Sequence, residues 1–438
     1  MNTSPQLARF HLLERVSPTH PAIGDVEAAV RDSLGALGLD PRQLAGRRIA
    51  VAVGSRGVAS LREIVRAVCR WLARHGAKPF AFPAMGSHGG ATDAGQRRVL
   101  EDYGVTPEFI GAEVLSSMAS IQTGTTPEGF PVSMDRHAWQ SDGVVLINRV
   151  KPHTSFTGRI ESGLLKMLAV GMGKEKGARE FHRLAARYGA EPVLRAVGGA
   201  VLATGKILAG VAVAENSCHQ AAVIRAATPE GMVAMEEEML ALAKSLLPRL
   251  PFSRLDLLIV DEIGKNVSGA GMDTKVIGRG MRFAPGDAPE IRLIYARDLT
   301  DESAGNGLGV GLADFIHERL FRKIDFEKMY VNGRTSLNTG VVRLPMWFRS
   351  DREALEFGLR ALGDPLPAGQ HVVAIRNTLS LDCILVSEPL AAEAASLPDW
   401  RVSGKAEGLE FDGEGNFPDS VMPVLRPKVD SGGAPSSQ

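Results

Sequence analysis

Three histidines and one lysine stand out in this sequence for the chemistry they can do. His88 lies in Ala84-Met85-Gly86-Ser87-His88-Gly89-Gly90 and His153 in Lys151-Pro152-His153-Thr154, and Lys166 and His182 follow. An imidazole, with an ordinary pKa of about 6.5, can give or take a proton at neutral pH or ligate a metal. An amine in an apolar setting loses its charge readily and becomes a nucleophile. Lys166 has such a setting in Leu164-Leu165-Lys166-Met167-Leu168, although a lysine snorkelling from an amphipathic helix would read the same way. The glycines around His88 let the backbone come close to a ligand, and the helix expected after them offers free N–H groups. Asp93 with Gln96 resembles a capping box for that helix. An exposed tight turn would account for His88 equally well. The polar cluster Lys151, His153, Thr154, Ser155, Thr157 and Arg159 could hold a carboxylate or phosphate, or be a solvated loop. Gly171-Met172-Gly173-Lys174 lacks the spacing and the Ser/Thr of a phosphate-binding loop. Arg56, after a strand, could clamp a carboxylate bidentately or be a surface arginine.

Strands and helices must position these groups. Apolar runs at 48–53, 78–83, 143–147, 207–213, 255–260, 291–296, 371–375 and 383–386 are short and mostly rich in Val and Ile. Such runs suit strands buried on both faces. Helical patterns fall at 61–75, 93–103, 175–187, 229–247, 308–321 and 351–362. The first places Leu61, Ile64, Val65, Val68 and Leu72 on one face. The alternation predicts an α/β fold with mostly parallel sheets flanked by helices, where ligands sit beyond the carboxyl ends of strands. Pro248 and Pro251 follow a helix rich in Glu and Met. They suggest a catalytic and cofactor-binding domain over 1–250, a second α/β domain over 251–425 and a disordered Ser/Gly/Pro-rich tail over 426–438. The Gly-rich polar stretch 261–282 reads as a binding loop, which would put the active site in a cleft between the domains.

Composition narrows the classes. The chain has 438 residues, 44% hydrophobic and 23% charged, with 50 basic against 50 acidic residues. A balanced chain of that make-up is an ordinary soluble globular protein with no basic excess for nucleic acid. Cys69, Cys218 and Cys383 are far apart and odd in number, which fits a reducing cytoplasm rather than a disulfide framework or thiolate zinc site. The N-terminus has charges inside it, unlike a signal peptide, and no apolar run of about 18 residues could span a membrane.

In order and in neighbours, Arg56, the Gly-Ser-His88-Gly-Gly motif, His153, Lys166 and His182 resemble the LarA-like nickel-pincer racemases, and the likeness runs into the stretch 269–279. The resemblance implies a nicotinate-derived pincer nucleotide joined covalently to Lys166, with nickel bound by the cofactor and by His182. It implies His88 and His153 as the opposed acid/base pair, and Arg56, Lys275 and Arg279 as substrate-binding residues. The expected reaction is racemisation or epimerisation of a 2-hydroxy acid by reversible hydride transfer through a bound 2-keto acid. Expected partners are the small-molecule substrate and, transiently, cofactor-biosynthesis proteins, with a homo-oligomer left open. The likeness is not complete. Val53 and Gly57 stand where the lactate-type pattern has Asp and Pro, Gly-Gly follows His88 where it has Arg-Pro, and 273–279 differs. The substrate is therefore not necessarily lactate, and a larger or more polar hydroxy acid, or a sugar acid, is at least as much expected. Two other classes share the same residues. One is a metal-dependent hydrolase using His88, His153 and His182, for which no His-Glu-x-x-His motif is present. The other is a non-catalytic small-molecule or metal-binding protein.

Overall fold

The computed structural model describes residues 9–54, 57–280, 289–336, 338–363, 369–408 and 410–417. Arg56 and the expected disordered tail lie outside the described residues. The chain forms two compact units, Thr19–Leu247 and, as the other, Met1–Pro18 with Pro248–Gln438.

In the first unit the central sheet runs Glu113–Val114, Lys78–Pro83, Arg48–Val53, Gly143–Arg149, Ile207–Glu215, Ala221–Ala227. Its first five strands are parallel, and the last pairs antiparallel at the edge. Ile49, Val51 and Val53 point into one apolar cluster and Ala50 and Ala52 into the other. Such two-sided burial is why these strands read as continuous apolar runs rather than alternating ones. Val53 is level with Pro83 on one side and with Ile147 on the other. These three adjacent parallel strands therefore end level with one another, and the loops carrying His88 and His153 leave from that end. The helix Leu61–Arg74 buries Leu61, Ile64, Val65, Val68 and Leu72, as its periodicity predicts.

The second unit has an eight-stranded sheet. Five parallel strands, Met346–Phe348, Phe315–His317, Glu290–Leu299, Arg254–Ile263 and Val372–Ile375, continue antiparallel into Cys383–Ser387, Arg9–Arg15 and Trp400–Gly408. The architecture is α/β with mostly parallel sheets flanked by helices, as expected. Two details differ. Residues 1–18 belong to the second unit, not to a domain over 1–250, because Arg9–Arg15 pairs with two of its strands and buries Phe10 and Leu13 in its core. The helix expected over 308–321 is instead a 3-10 turn, the strand Phe315–His317 and the helix Glu318–Lys323. Phe315 and Ile316 pair with strands on both sides. Gly309, at φ 103°, also takes a backbone conformation that no helix contains.

Candidate functional site

His88, His153, Lys166 and His182 all lie in the Thr19–Leu247 unit, on loops and helices beyond the carboxyl ends of its strands. His88 follows Lys78–Pro83 and is exposed. Its loop packs on the segment between the other two groups: Gly86 N–H donates to Gly171 O at 3.2 Å. A Cβ on Gly86 would lie 3.4 Å from Val170 and 3.5 Å from Ala178. Gly89 is pinned at φ 64° against the first turn of Asp93–Asp102, where a Cβ would come within 2.6 Å of the Gln96 nitrogen.

Lys166 ends the short helix Leu164–Lys166, immediately before the π-turn Met167–Gly171. Leu164, Leu165, Met167 and Leu168 are at most 3% exposed. The lysine is therefore the one half-buried residue in a run buried on both sides, not a snorkelling side chain on an amphipathic surface. Burial lowers its pKa to about 8. Among the described residues its amine has no hydrogen bond or ion pair.

His153 is half-buried and stacks on Phe156, ring centroids 4.4 Å apart. Its pKa is held well below the ordinary imidazole value, first by burial and then by the positive charges of Lys166, Lys151 and His182. His182, exposed on the helix Lys174–Tyr188, is also lowered by burial and by Lys166. His153, Lys166 and His182 thus share one electrostatic neighbourhood, in which a positive charge on Lys166 disfavours charge on both histidines. Ser155 N–H lies 3.2 Å from His153 Nδ1. A backbone N–H can only donate, so Nδ1 accepts and the neutral ring carries its proton on Nε2. Nδ1 is then the nitrogen with a free lone pair, and the Ser155 hydroxyl, 2.9 Å from it, can donate to it as well.

Sequence reading missed the side chains that hold this arrangement. The helix Met232–Leu246, read only as a domain end, carries them. Buried Glu236 accepts from Leu165 N–H at 2.8 Å, at the start of the helix bearing Lys166. Burial pushes this carboxyl up to about 7. A Cβ on Gly163 would lie 2.7 Å from its Cδ, so any larger residue there would have to displace the carboxyl. Lys244 pairs with buried Glu161 at 2.6 Å, and Glu161 accepts from His153 N–H at 2.6 Å and Gly158 N–H at 3.1 Å. A glutamate on the apolar stripe of Met232, Met239, Leu240, Ala243 and Leu246 was the visible signal. Gln96 also departs from expectation. Thr92, not Asp93, caps its helix, and the Gln96 amide turns back into the His88 loop.

Lys275 and Arg279 belong to the other unit. Lys275 is half-buried, its backbone N–H donating to Asp273 Oδ1 at 2.9 Å. Arg279 pairs with Asp314 at 2.6 Å and donates to the carbonyls of Leu312, Ile291 and Arg292 at 3.0–3.2 Å. Its guanidinium is thus tied to its own unit at four points. Among the described residues no three His, Cys, Asp or Glu side chains converge as a metal centre. No helix among them is long and apolar enough to cross a membrane.

No family model matches this chain, and no curated protein matches it. Among solved structures, the lactate racemase apoprotein from Thermoanaerobacterium thermosaccharolyticum matches over 80% of this chain and 91% of its own, with TM-score 0.51 and 14% identity. The chain shares its fold with lactate racemase. A Thermotoga maritima protein matches over 72% of this chain and 80% of its own, at 15% identity and TM-score 0.47, too low to carry an argument. The likeness to lactate racemase is one of fold, and it agrees with the LarA-like resemblance read from the sequence.

Proposed function

We propose that this chain is a racemase or epimerase of a 2-hydroxy acid, working with a nickel-pincer nucleotide joined to Lys166. The observation that carries the reading is the cluster of His153, Lys166 and His182, three basic groups whose pKa values are all lowered, Lys166 by burial and the two histidines by burial and by the nearby Lys166. The residues fit the group. An amine with a pKa of about 8 is nucleophilic at neutral pH, as covalent attachment requires. An uncharged, exposed imidazole at His182 is ready to ligate a metal. A cofactor that brings most of the metal's ligands itself needs no three-donor protein centre, whereas a zinc hydrolase does. When bound, the nucleotide would supply the hydride acceptor.

The chain's own part is proton transfer and positioning. The hydrogen on C2 of a hydroxy acid is not acidic, so the proton these histidines move is that of the hydroxyl. One of His88 and His153 takes it as the substrate is oxidised, and the other returns one when the planar keto acid is reduced on its opposite face. The histidine that acts first must start neutral and the other must start with a proton to give, so the two exchange roles between the enantiomers. Arg56, which follows the strand Arg48–Val53 in sequence, is our candidate for the substrate carboxylate; we assign Lys275 no role. Val53 and Gly57 stand where the lactate-type pattern has Asp and Pro, so the hydroxy acid need not be lactate.

Intact mass and peptide mapping of the chain co-produced with pincer-biosynthesis enzymes test this directly. The expected result is a thioamide adduct on Lys166 with stoichiometric nickel, lost in Lys166→Ala. With a 2-deuterated hydroxy acid, the label should stay on C2 in the product. An adduct on Lys151 or Lys174, or washout of deuterium into water, overturns the proposal.

A further inference from the structure

Lys174, eight residues beyond Lys166, takes no part in the chemistry above and yet is fully buried. It opens the helix Lys174–Tyr188 at φ 57°, a left-handed conformation unfavourable for lysine. Something must hold it there. Its ammonium donates to Pro83 O at 2.5 Å and to Gln96 Oε1 at 3.1 Å, and pairs with buried Asp135 at 3.0 Å. The Phe82 ring lies 5.7 Å away. One ammonium thus joins the end of the strand before the His88 loop, the helix after that loop, and the end of the strand Pro131–Asp135.

The consequence lies in Gln96. An ammonium only donates, so the Gln96 atom facing it must be the oxygen. The Gln96 NH2 is then directed at Gly86 O, 2.7 Å away, and His88 O, 3.3 Å away. With the amide reversed, an NH2 would face the ammonium and an oxygen would face two carbonyls. The charge on Lys174 therefore sets the orientation of a side chain that grips the His88 loop at two points.

We infer that Gln96, oriented by the Lys174–Asp135 pair, is a positioning residue that fixes where His88 stands. The inference rests on the acid/base role proposed for His88, but the geometry can be tested without it. In Gln96→Leu the ion pair remains, so the fold should survive. The side-chain NMR signals of His88 should shift and broaden while those of His153 and His182 stay in place. In the loaded enzyme kcat should fall roughly 100-fold with KM nearly unchanged, the size expected for a catalytic group misplaced by about 1 Å. The second arm is Lys174→Met with Asp135→Asn. It removes both buried charges and keeps a side chain able to accept from His137 and Ala138 N–H, as Asp135 does. This double variant should recover thermal stability relative to Lys174→Met alone and still show the displaced His88 signals. Unmoved His88 signals in Gln96→Leu, or native His88 signals in the double variant, overturn the inference. If the wild-type chain racemises no hydroxy acid but the His88 signals move as stated, the positioning stands and the proposed function fails.

Discussion

The two ends of the π-turn Met167–Gly171 carry two desolvated amines with opposite surroundings. At one end Lys174 meets a carboxylate, a carbonyl and an amide oxygen. At the other, Lys166 meets none among the described residues, and burial alone lowers its pKa to about 8. Burial also pushes Lys174 down, but Asp135 opposes it. The contrast teaches that burying a lysine does not by itself make it reactive. Supplied with acceptors, a buried amine is a structural tie. Left without them, it gives up its proton readily and is free to react.

The largest effect expected from this contrast is all-or-none. Lys166→Ala should carry no adduct and yet unfold at the same denaturant concentration as wild type, or a higher one, because a desolvation penalty has gone. A marked loss of stability would make Lys166 a structural residue like its neighbour. Next, His88→Ala and His153→Ala should each slow both directions of the proposed reaction by about 100- to 10,000-fold while the Lys166 adduct and nickel remain. Kinetics from each enantiomer decide it, and a variant impaired in one direction only would break the opposed pair.

Lys174→Met should destabilise the chain by about 3–5 kcal/mol, since it strands Asp135 in the interior. Urea unfolding measures this, and a change within error would remove the tie. The amines themselves can be compared in the wild type. At pH 7, acylation of Lys166 should run roughly 100-fold ahead of an ordinary surface lysine with a pKa near 10.4, with a midpoint near 8. Lys174 should resist labelling until unfolding. Quantitative mass spectrometry across pH gives both curves, and coincident midpoints would erase the distinction.

The smallest effect concerns Glu236. Its carboxyl ionises near 4.5 when unfolded and near 7 when folded. The folded state therefore holds the proton more tightly between those values. Stability falls as pH rises through that window and is level above it. Glu236→Gln should remove that slope and gain on the order of 1–3 kcal/mol relative to wild type above pH 7. Parallel pH profiles for the two proteins would contradict the raised pKa.

Much of this is legible in the amino-acid sequence alone. Burial on both faces writes itself into strands such as Arg48–Val53 as unbroken apolar runs, and the helix Leu61–Arg74 shows its inner face by period. Glycines at 86, 89 and 90 and an amine among leucines mark where chemistry could sit. The strand order, the ends of neighbouring strands from which the loops of His88 and His153 emerge, and the addition of Arg9–Arg15 to a sheet built mostly from residues after 250 depend on contacts far apart in sequence. So do the roles of Glu236, Glu161, Gln96 and Lys174. Each is a charged or polar residue whose burial is stable only because a distant group meets it: Leu165 N–H, Lys244, two loop carbonyls, Asp135. A residue type announces that it can hold a proton or a charge. Whether it keeps that charge is decided by how much water the folded chain removes from around it and which partner it supplies instead.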